Sequence, residues 1–552
     1  WANSVNTTKH NNDMTWDYLV KILTSRAYEA AVETKTSYAA NLSAVLKNDI
    51  YLKREDTQPV FSFKIRGAYN KIASLSEEQL QKGVVTCSAG NHAQGVALSA
   101  NKLGINATIV MPIMTPDIKV SAVKRFGGST AKVVLHGNNY DEAAAEAKRL
   151  VEEKGLTMVH PFDDPYVIAG QGTIGMEIIK ALQGKDLDSV FVCCGGGGML
   201  AGVAAYVKAL RPEVKVIGVE ADDAAGMTES LIAGQVTTLG SVGLFADGAA
   251  VKTVGQETFR VCHTLVDGMI TVKTDEICSA IKLCFNDTRC VLEPAGALAI
   301  AGMVKYIQQG ELTGKTMVAV TSGANMDFDR LRFVSERADY SETLMAVSIP
   351  ERAGAIREFY KIIYPRNVTE LSYRWSDPKW ADVVVSLQSL KGTNKEDDKA
   401  SVFNTLSTRG YTVHDFSDNE LAKAHIRHLA GGRPGRDLYT AKNRENNIIS
   451  STNKSGNSAT VGNGERVEVV YRFEFPEAPG ALGKFLFTLT DFNRDWNISL
   501  FHYRNHGHDY GRVLVGLLVL KEEVMDLKNF LDTLAYTHYE ETNNEAFTHF
   551  LK

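Results

Sequence analysis

Long apolar runs are missing from this 552-residue chain: none reaches the ~18 residues that a membrane span needs. An excess of charge of one sign is missing too. Sixty Lys and Arg stand against 65 Asp and Glu, a net charge of −5, which gives no electrostatic case for nucleic acid or an anionic membrane surface. Cysteine is scarce: seven residues, at 87, 193, 194, 262, 278, 284 and 290, with none in a Cys-x-x-Cys pair. The odd number and the adjacent Cys193-Cys194 point to a reducing compartment. The sequons at Asn41 and Asn106 are then read as chance matches. What remains, 44% hydrophobic and 23% charged residues, describes an ordinary soluble globular protein of roughly three or four domains. The chain begins at Trp1 with a polar stretch to residue 15, which reads as a processed amino terminus. If so, the plastid stroma or mitochondrial matrix is expected, and otherwise the cytoplasm.

The chain is organised around Phe61-Ser62-Phe63-Lys64-Ile65-Arg66-Gly67-Ala68, just after the charged run Lys53-Arg54-Glu55-Asp56. An apolar setting disfavours the charged ammonium of Lys64 and lowers its pKa. A neutral amine can then act as a nucleophile and hold a carbonyl as a Schiff base. Taken alone, Lys64 could equally be a snorkelling lysine at the start of an amphipathic helix.

A helix is expected over Trp16 to Tyr28, and then short strands and helices alternate. Strands are read at 49–53, 83–87, 107–111, 131–135, 189–194 and 317–320, with helices at 92–102, 117–126, 140–153 and 199–210. That order gives a parallel α/β sheet, which binds ligands beyond the carboxyl ends of its strands. Three candidate sites follow strands there. Ser88-Ala89-Gly90-Asn91-His92-Ala93-Gln94-Gly95 offers backbone amides at a helix amino terminus, suited to a carboxylate, or else a plain cap by Ser88 or Asn91. Gly195-Gly196-Gly197-Gly198 lets amides close around a phosphate, and is neither a Walker loop nor a dinucleotide fingerprint. Thr321-Ser322-Gly323-Ala324-Asn325 puts a hydroxyl at the sheet edge, although Ser322 could also cap a helix.

In that order these motifs resemble the fold-type II pyridoxal-phosphate enzymes, and among them threonine dehydratase (threonine ammonia-lyase). Pro161-Phe162-Asp163, Gly170-Gln171-Gly172-Thr173 and Glu293-Pro294-Ala295-Gly296-Ala297 are similar to that family as well. The resemblance implies pyridoxal 5'-phosphate held by Lys64 as a Schiff base, with Lys64 then removing the substrate Cα proton. It implies that Gly195, Gly196, Gly197, Gly198 and Met199 bind the phosphate, the family usually having leucine at the last position. It also implies Asn91 on the cofactor's 3-oxygen, Ser322 facing the pyridine nitrogen, and Ser88, Asn91 and His92 around the substrate carboxylate. L-threonine, and L-serine beside it, are the implied substrates, giving 2-oxobutanoate and ammonia from threonine. Ala89 stands where serine racemase has a second base, which disfavours racemisation. Glu220 is followed six residues on by Gly226, not an aspartate, so no metal is expected. Rival expectations are a broader serine/threonine dehydratase, a catalytically weak amino-acid sensor and, further off, a sulfide-using cysteine synthase.

The last third repeats itself. Ser348-Ile349-Pro350-Glu351-Arg352-Ala353-Gly354-Ala355 matches Glu474-Phe475-Pro476-Glu477-Ala478-Pro479-Gly480-Ala481. Ile356, Phe359, Tyr360 and Ile363 correspond to Leu482, Phe485, Leu486 and Leu489, one face of a helix. Asn367 to Arg374 likewise matches Asn497 to Arg504. Each copy reads strand, helix, strand, strand, helix, strand, and resembles the ACT-like domains that end biosynthetic threonine dehydratases. The resemblance implies isoleucine as inhibitor, valine as its antagonist and a homotetramer. Effector contacts are expected near Tyr373, Tyr503 and Arg504, with Arg427 further off; those Tyr-Arg pairs could instead be strand-surface residues. The expected domains are therefore a catalytic one at 1–338, ACT-like domains at 342–429 and 467–552, and a Gly/Ser/Asn-rich insertion at 430–466 between them.

Overall fold

The computed structural model describes residues 8–338, 342–350, 355–366, 368–375, 380–390, 393–424, 466–476, 481–493, 496–504 and 510–551. They fall into two compact units, 1–340 and 341–552.

The first unit holds ten strands: β1 (Thr36–Tyr38), β2 (Asp49–Arg54), β3 (Val84–Cys87), β4 (Ala107–Met111), β5 (Ala131–Leu135), β6 (Thr157–Met158), β7 (Leu187–Cys193), β8 (Lys215–Ala221), β9 (Gly268–Val272) and β10 (Thr316–Thr321). Six form a large sheet in the order β1-β2-β10-β7-β8-β9, and four a small one in the order β5-β4-β3-β6. All pairings are parallel except β1 with β2. Strands covered on both faces need continuous apolar runs, and β7 and β10 have them: Val190, Phe191, Val192, Met317, Val318, Ala319 and Val320 are all fully buried. The helix Gly198–Leu210 is apolar nearly all round and buried from Gly198 to Val207. The fold expected from the strand-helix alternation is present, and the carboxyl ends of β3, β7 and β10 carry the three motif loops. The largest difference from the expected bounds is in the first helix, which differs at both ends. The first helix is Thr8–Leu23, followed by a separate turn at Ala27–Glu29. The Ser25 hydroxyl accepts the Ala27 N–H, a local bond that competes with helix continuation.

The second unit contains β11 (Glu342–Pro350), β12 (Val368–Trp375), β13 (Trp380–Gln388), β14 (Thr412–Asp415), β15 (Arg466–Pro476), β16 (Asn497–Arg504), β17 (Tyr510–Leu520) and β18 (Thr537–Glu540). Two four-stranded antiparallel sheets result, β12-β13-β11-β14 and β16-β17-β15-β18. Helices Ala355–Ile363 and Lys395–Thr408 serve the first, and Ala481–Phe492 and Asp526–Leu534 the second. The repeat extends to backbone irregularities: register shifts fall between Val368 and Glu370 and between Ile498 and Leu500, positions the sequence alignment equates. Phe359 and Ile363 are buried as their counterparts Phe485 and Leu489 are. Side chains alternate along each central strand. Met345, Val347 and Ile349 of β11 face their own helices, while Leu344 and Ala346 join Val470 of β15 and Leu514 of β17 in a core shared by the two sheets. Arg427 and all but the last residue of the 430–466 insertion lie outside the described residues.

Candidate active site

Lys64 opens the helix Lys64–Ala73, and the segment before it is pinned to the loop after β10. Phe63 N–H donates to Ser322 O at 3.1 Å and Ala324 N–H to Phe61 O at 2.9 Å, with Ser62 bridged to Gly323. Phe61 takes a left-handed conformation, φ 57°, to make that turn. The Lys64 Nζ donates to Pro161 O at 2.9 Å and lies 5.2 Å from the Phe63 ring centre. Burial lowers its pKa to about 8, against the opposing effects of Cys193 and Glu293. Close helix approach needs a glycine here: a Cβ at Gly95 would stand 3.2 Å from the Lys64 carbonyl carbon and oxygen.

The tetraglycine loop joins β7 to the helix Gly198–Leu210. Gly197 has φ +94°, and a Cβ on Gly196 would sit 2.3 Å from the Phe162 ring. Two contacts hold the loop from behind. Thr258 Oγ1 donates to Gly196 O at 2.6 Å. The Asp163 carboxylate accepts the N–H groups of Gln256, Glu257 and Thr258, which fixes the helix bearing Thr258. Met199, the second residue of the following helix, is buried at its mouth.

Ser322 follows β10, and no helix begins there, so it is not a cap. Its Oγ donates to Ala295 O at 3.3 Å and lies 3.3 Å from Cys193 Sγ, a thiol that burial pushes up to about 11 and so keeps protonated. Ser88 and Asn91 flank the amino terminus of the helix Asn91–Leu103. Ser88 Oγ accepts the Gly90 N–H at 3.3 Å, a turn contact; the helix itself has no side-chain cap. The His92 ring is buried, with Nε2 2.9 Å from Val159 O, and burial pushes its pKa down to about 3. The imidazole is thus neutral and engaged with Val159, so a carboxylate expected near His92 would meet first-turn backbone amides before the ring.

Asn91 Nδ2 donates to Glu293 Oε1 at 2.6 Å, and Asn325 Nδ2 donates to Asn91 Oδ1 at 2.6 Å. Glu293 precedes Pro294 at the start of the helix Pro294–Gly310, yet makes no cap and turns toward Asn91 instead. Burial, and then Asp247, raise its pKa to about 7. Asp247 itself accepts from Lys119 and Arg330, each at 3.1 Å, and those cations hold its carboxyl below the usual carboxylate range. Glu293, Asn325, Cys193, Phe162 and Thr258 received no role from the sequence. The signal for Glu293 was a carboxylate set in the apolar run Pro294-Ala295-Gly296-Ala297.

Glu220 accepts the N–H groups of Met227 and Thr228 at 2.8 and 2.9 Å and the Thr228 hydroxyl at 2.7 Å. Among the described residues, no group of three or more His, Cys, Asp or Glu is arranged to hold a metal ion. Tyr373 lies on β12 opposite Val383, Tyr503 on β16 opposite Val513, and Arg504 opposite Arg512.

A phosphorylated aldehyde suits this donor set: an amine of lowered pKa, glycine amides at a helix amino terminus, and a buried hydroxyl, all at the carboxyl edge of one sheet. Among the described residues, buried Ser62 Oγ and His92 Nδ1 have no hydrogen-bond partner, which fits a site built to take a polar group.

Comparison with known proteins agrees. Residues 29–323 match the model of the pyridoxal-phosphate dependent enzymes, and residues 334–426 and 461–551 match the C-terminal regulatory domain of threonine dehydratase. The chain is 50% identical over 538 residues to L-threonine dehydratase biosynthetic IlvA of Burkholderia multivorans, covering 97% of this chain and 99% of that one. It is 46% identical to the mitochondrial threonine dehydratase of Saccharomyces cerevisiae, covering 98% and 90%. The solved structure of the processed form of threonine deaminase isoform 2 from Solanum lycopersicum superposes with a TM-score of 0.57 at 50% identity, over 59% of this chain and 94% of that one. The chain therefore belongs to the biosynthetic threonine dehydratases, fold-type II pyridoxal-phosphate enzymes that carry a C-terminal regulatory domain.

Proposed function

We propose that this chain converts L-threonine to 2-oxobutanoate and ammonia by β-elimination, the committed step toward isoleucine, under feedback control by its carboxy-terminal repeats. The observation that carries the reading is the Lys64 amine, its pKa lowered to about 8, in one cleft with the tetraglycine loop and Ser322.

When bound, pyridoxal phosphate supplies the electron sink that makes the substrate Cα–H acidic. The chain's own groups do the rest. Gly195 to Gly198, with Met199, take the phosphate, their amides backed by the dipole of the helix that follows. Lys64 would hold the cofactor through its amine, and the same amine would take the substrate's Cα proton. A neutral amine is the form that can do both, and burial supplies it near neutral pH. Asn91 holds the ring oxygen. Ser322 faces the pyridine nitrogen as a neutral hydroxyl, which does not keep that nitrogen protonated. With that neutral hydroxyl as its partner, bound pyridoxal phosphate would supply a weaker electron sink, suited to β-elimination. Ser88 and the first-turn backbone amides of Asn91 and His92 receive the substrate carboxylate.

The catalytic domain in this reading is 1–338 and the regulatory domains are 342–429 and 467–552. Isoleucine inhibits and valine opposes it, with effector contacts near Tyr373, Tyr503 and Arg504 and, further off, Arg427, which lies outside the described residues. The support is the tandem repeat with its matched register shifts. Coupling between effector and catalytic sites would amount to ~1–3 kcal/mol. The enzyme works as a homotetramer. No described helix is long and apolar enough to cross a membrane; a matrix or stromal location goes with a processed amino terminus, and the cytoplasm with an unprocessed one.

The test is 2-oxoacid formation by the full chain with threonine and with serine, each with and without isoleucine and valine. A higher kcat/KM for threonine, slowed by isoleucine and restored by valine, is the expected result. Turnover indifferent to isoleucine would refute the regulatory assignment. Equal kcat/KM for serine would make this a broader dehydratase.

A further inference from the structure

A carboxamide has a donating end and an accepting end, and the end that faces the cleft decides what Asn91 offers a ligand. Three contacts settle the orientation. Asn325 Nδ2 donates to Val60 O at 2.8 Å and to Asn91 Oδ1 at 2.6 Å. The Val60 carbonyl has no hydrogen to give, so the atom of Asn325 facing it must be nitrogen. The second hydrogen of that nitrogen points at Asn91, whose receiving atom must then be oxygen. The nitrogen of Asn91 consequently faces Glu293 Oε1 at 2.6 Å, spending one N–H there and keeping the other. The anchor is rigid: Glu293 is buried, its N–H donates to Gly323 O at 3.2 Å, and a Cβ at Gly323 would lie 2.3 Å from Glu293 Oε1.

We propose that Glu293 and Asn325 are positioning residues that hold the Asn91 carboxamide in the one orientation that presents an N–H to the ring oxygen of the cofactor. The inference rests on the assignment of Asn91 to that oxygen. Glu293 needs only an accepting oxygen for this work, so either protonation state serves. The charged and titratable groups around it are Asp247 on the turn Asp247–Ala249, Arg330 and Lys119 on their helices, Lys64, and Cys193 at the end of β7.

Substitutions separate the orientation from mere packing. In Asn325→Asp an accepting carboxylate meets the Asn91 oxygen and drives the amide to turn over, while Asn325→Ala only removes a donor. Glu293→Gln keeps an accepting oxygen, and Glu293→Leu does not. The readout is the dissociation constant of pyridoxal 5'-phosphate for the full-chain apoprotein, by fluorescence titration, with the absorption maximum of the loaded protein alongside. Asn91→Ala should weaken cofactor binding about tenfold. Asn325→Asp should weaken it as much and shift the absorption maximum, with Asn325→Ala falling between it and wild type. Glu293→Gln should stay within about twofold of wild type and Glu293→Leu should not. If Asn91→Ala weakens binding but Asn325→Asp equals Asn325→Ala and Glu293→Gln equals Glu293→Leu, the positioning role is wrong and the Asn91 assignment stands. If Asn91→Ala leaves both affinity and spectrum unchanged, the assignment itself fails and takes the proposal with it.

Discussion

Replacing Glu177 by glutamine should destabilise the catalytic unit more than any surface change, although Glu177 touches neither cofactor nor substrate. Four charged side chains are buried together beneath the lysine helix: Lys53, Glu55, Arg66 and Glu177. Arg66 pairs with Glu55 through Nε at 2.7 Å and with Glu177 through Nη1 at 2.6 Å. Lys53 Nζ donates to Glu177 and to Thr34 O, and Tyr28 OH and Thr34 N–H also donate to Glu177. Two cations balance two anions. Glu177→Gln leaves two buried cations facing one carboxylate, and removing one partner of a buried pair costs ~3–5 kcal/mol. For a unit of 340 residues that is a drop in Tm of about 4–7 °C, at the usual unfolding entropy per residue. Differential scanning calorimetry of Glu177→Gln reads it directly. The added change Lys53→Met restores neutrality, so the double variant should lose at least ~1 kcal/mol less than the sum of the singles. A Tm shift under about 1 °C for Glu177→Gln, or strict additivity in the cycle, would refute the reasoning.

Other outcomes follow from the cleft. Gly196→Ala puts a Cβ where the Phe162 ring lies and should weaken phosphate capture: apoprotein affinity for pyridoxal phosphate should fall at least about tenfold, and wild-type affinity would count against the loop assignment. The Lys64 amine, with its pKa near 8, is neutral above that value and protonated below it. The rate of cofactor capture by apoprotein should therefore rise roughly tenfold from pH 7 to 9 and then level off; a rise that continues to pH 10.5 would mean that burial does not act on Lys64. Glu293 is raised to about 7, above its unfolded value, so its stabilising contribution is fully present below about pH 4.5 and lost as pH rises through 7. Glu293→Gln, which cannot ionise, should thus gain in unfolding free energy relative to wild type between pH 5 and pH 8, by up to about 3 kcal/mol; a pH-independent difference would contradict that sign.

Lys64, the glycine loop and Ser322 were legible because contiguous residues carry them and each follows a strand whose apolar run is plain. The repeat was legible because 367–374 and 497–504 align without a gap, and the register shifts at 368 and 498 then fall at equivalent positions. Glu293 and Asn325 were not. Each lay inside a quoted motif, but its partner Asn91 is 202 or 234 residues away in sequence, and only the approach of the helix after β3 of the small sheet to the loop after β10 of the large one brings them together. Lys53-Arg54-Glu55-Asp56 read as a charged run, where a solvated strand end is the common case. In the fold Lys53 and Glu55 are fully buried, because Arg66 and Glu177, from two helices, complete the charge balance. His92 was placed at the substrate carboxylate by the family resemblance, and its ring lies against a backbone carbonyl, that of Val159. Tyr373, Tyr503 and Arg504 stay at the level of strand and register, since only their backbone lies within the described residues, and Arg427 lies outside them.

The most direct test of the central claim is the initial rate of 2-oxobutanoate formation from L-threonine by the purified, cofactor-loaded full chain and by its Lys64→Ala variant. The account predicts turnover by the wild type and a loss of at least about a thousandfold in the variant, since one residue both anchors the cofactor and moves the proton. A Lys64→Ala protein that keeps a tenth of the wild-type rate, or a wild type that makes no 2-oxobutanoate, would contradict it.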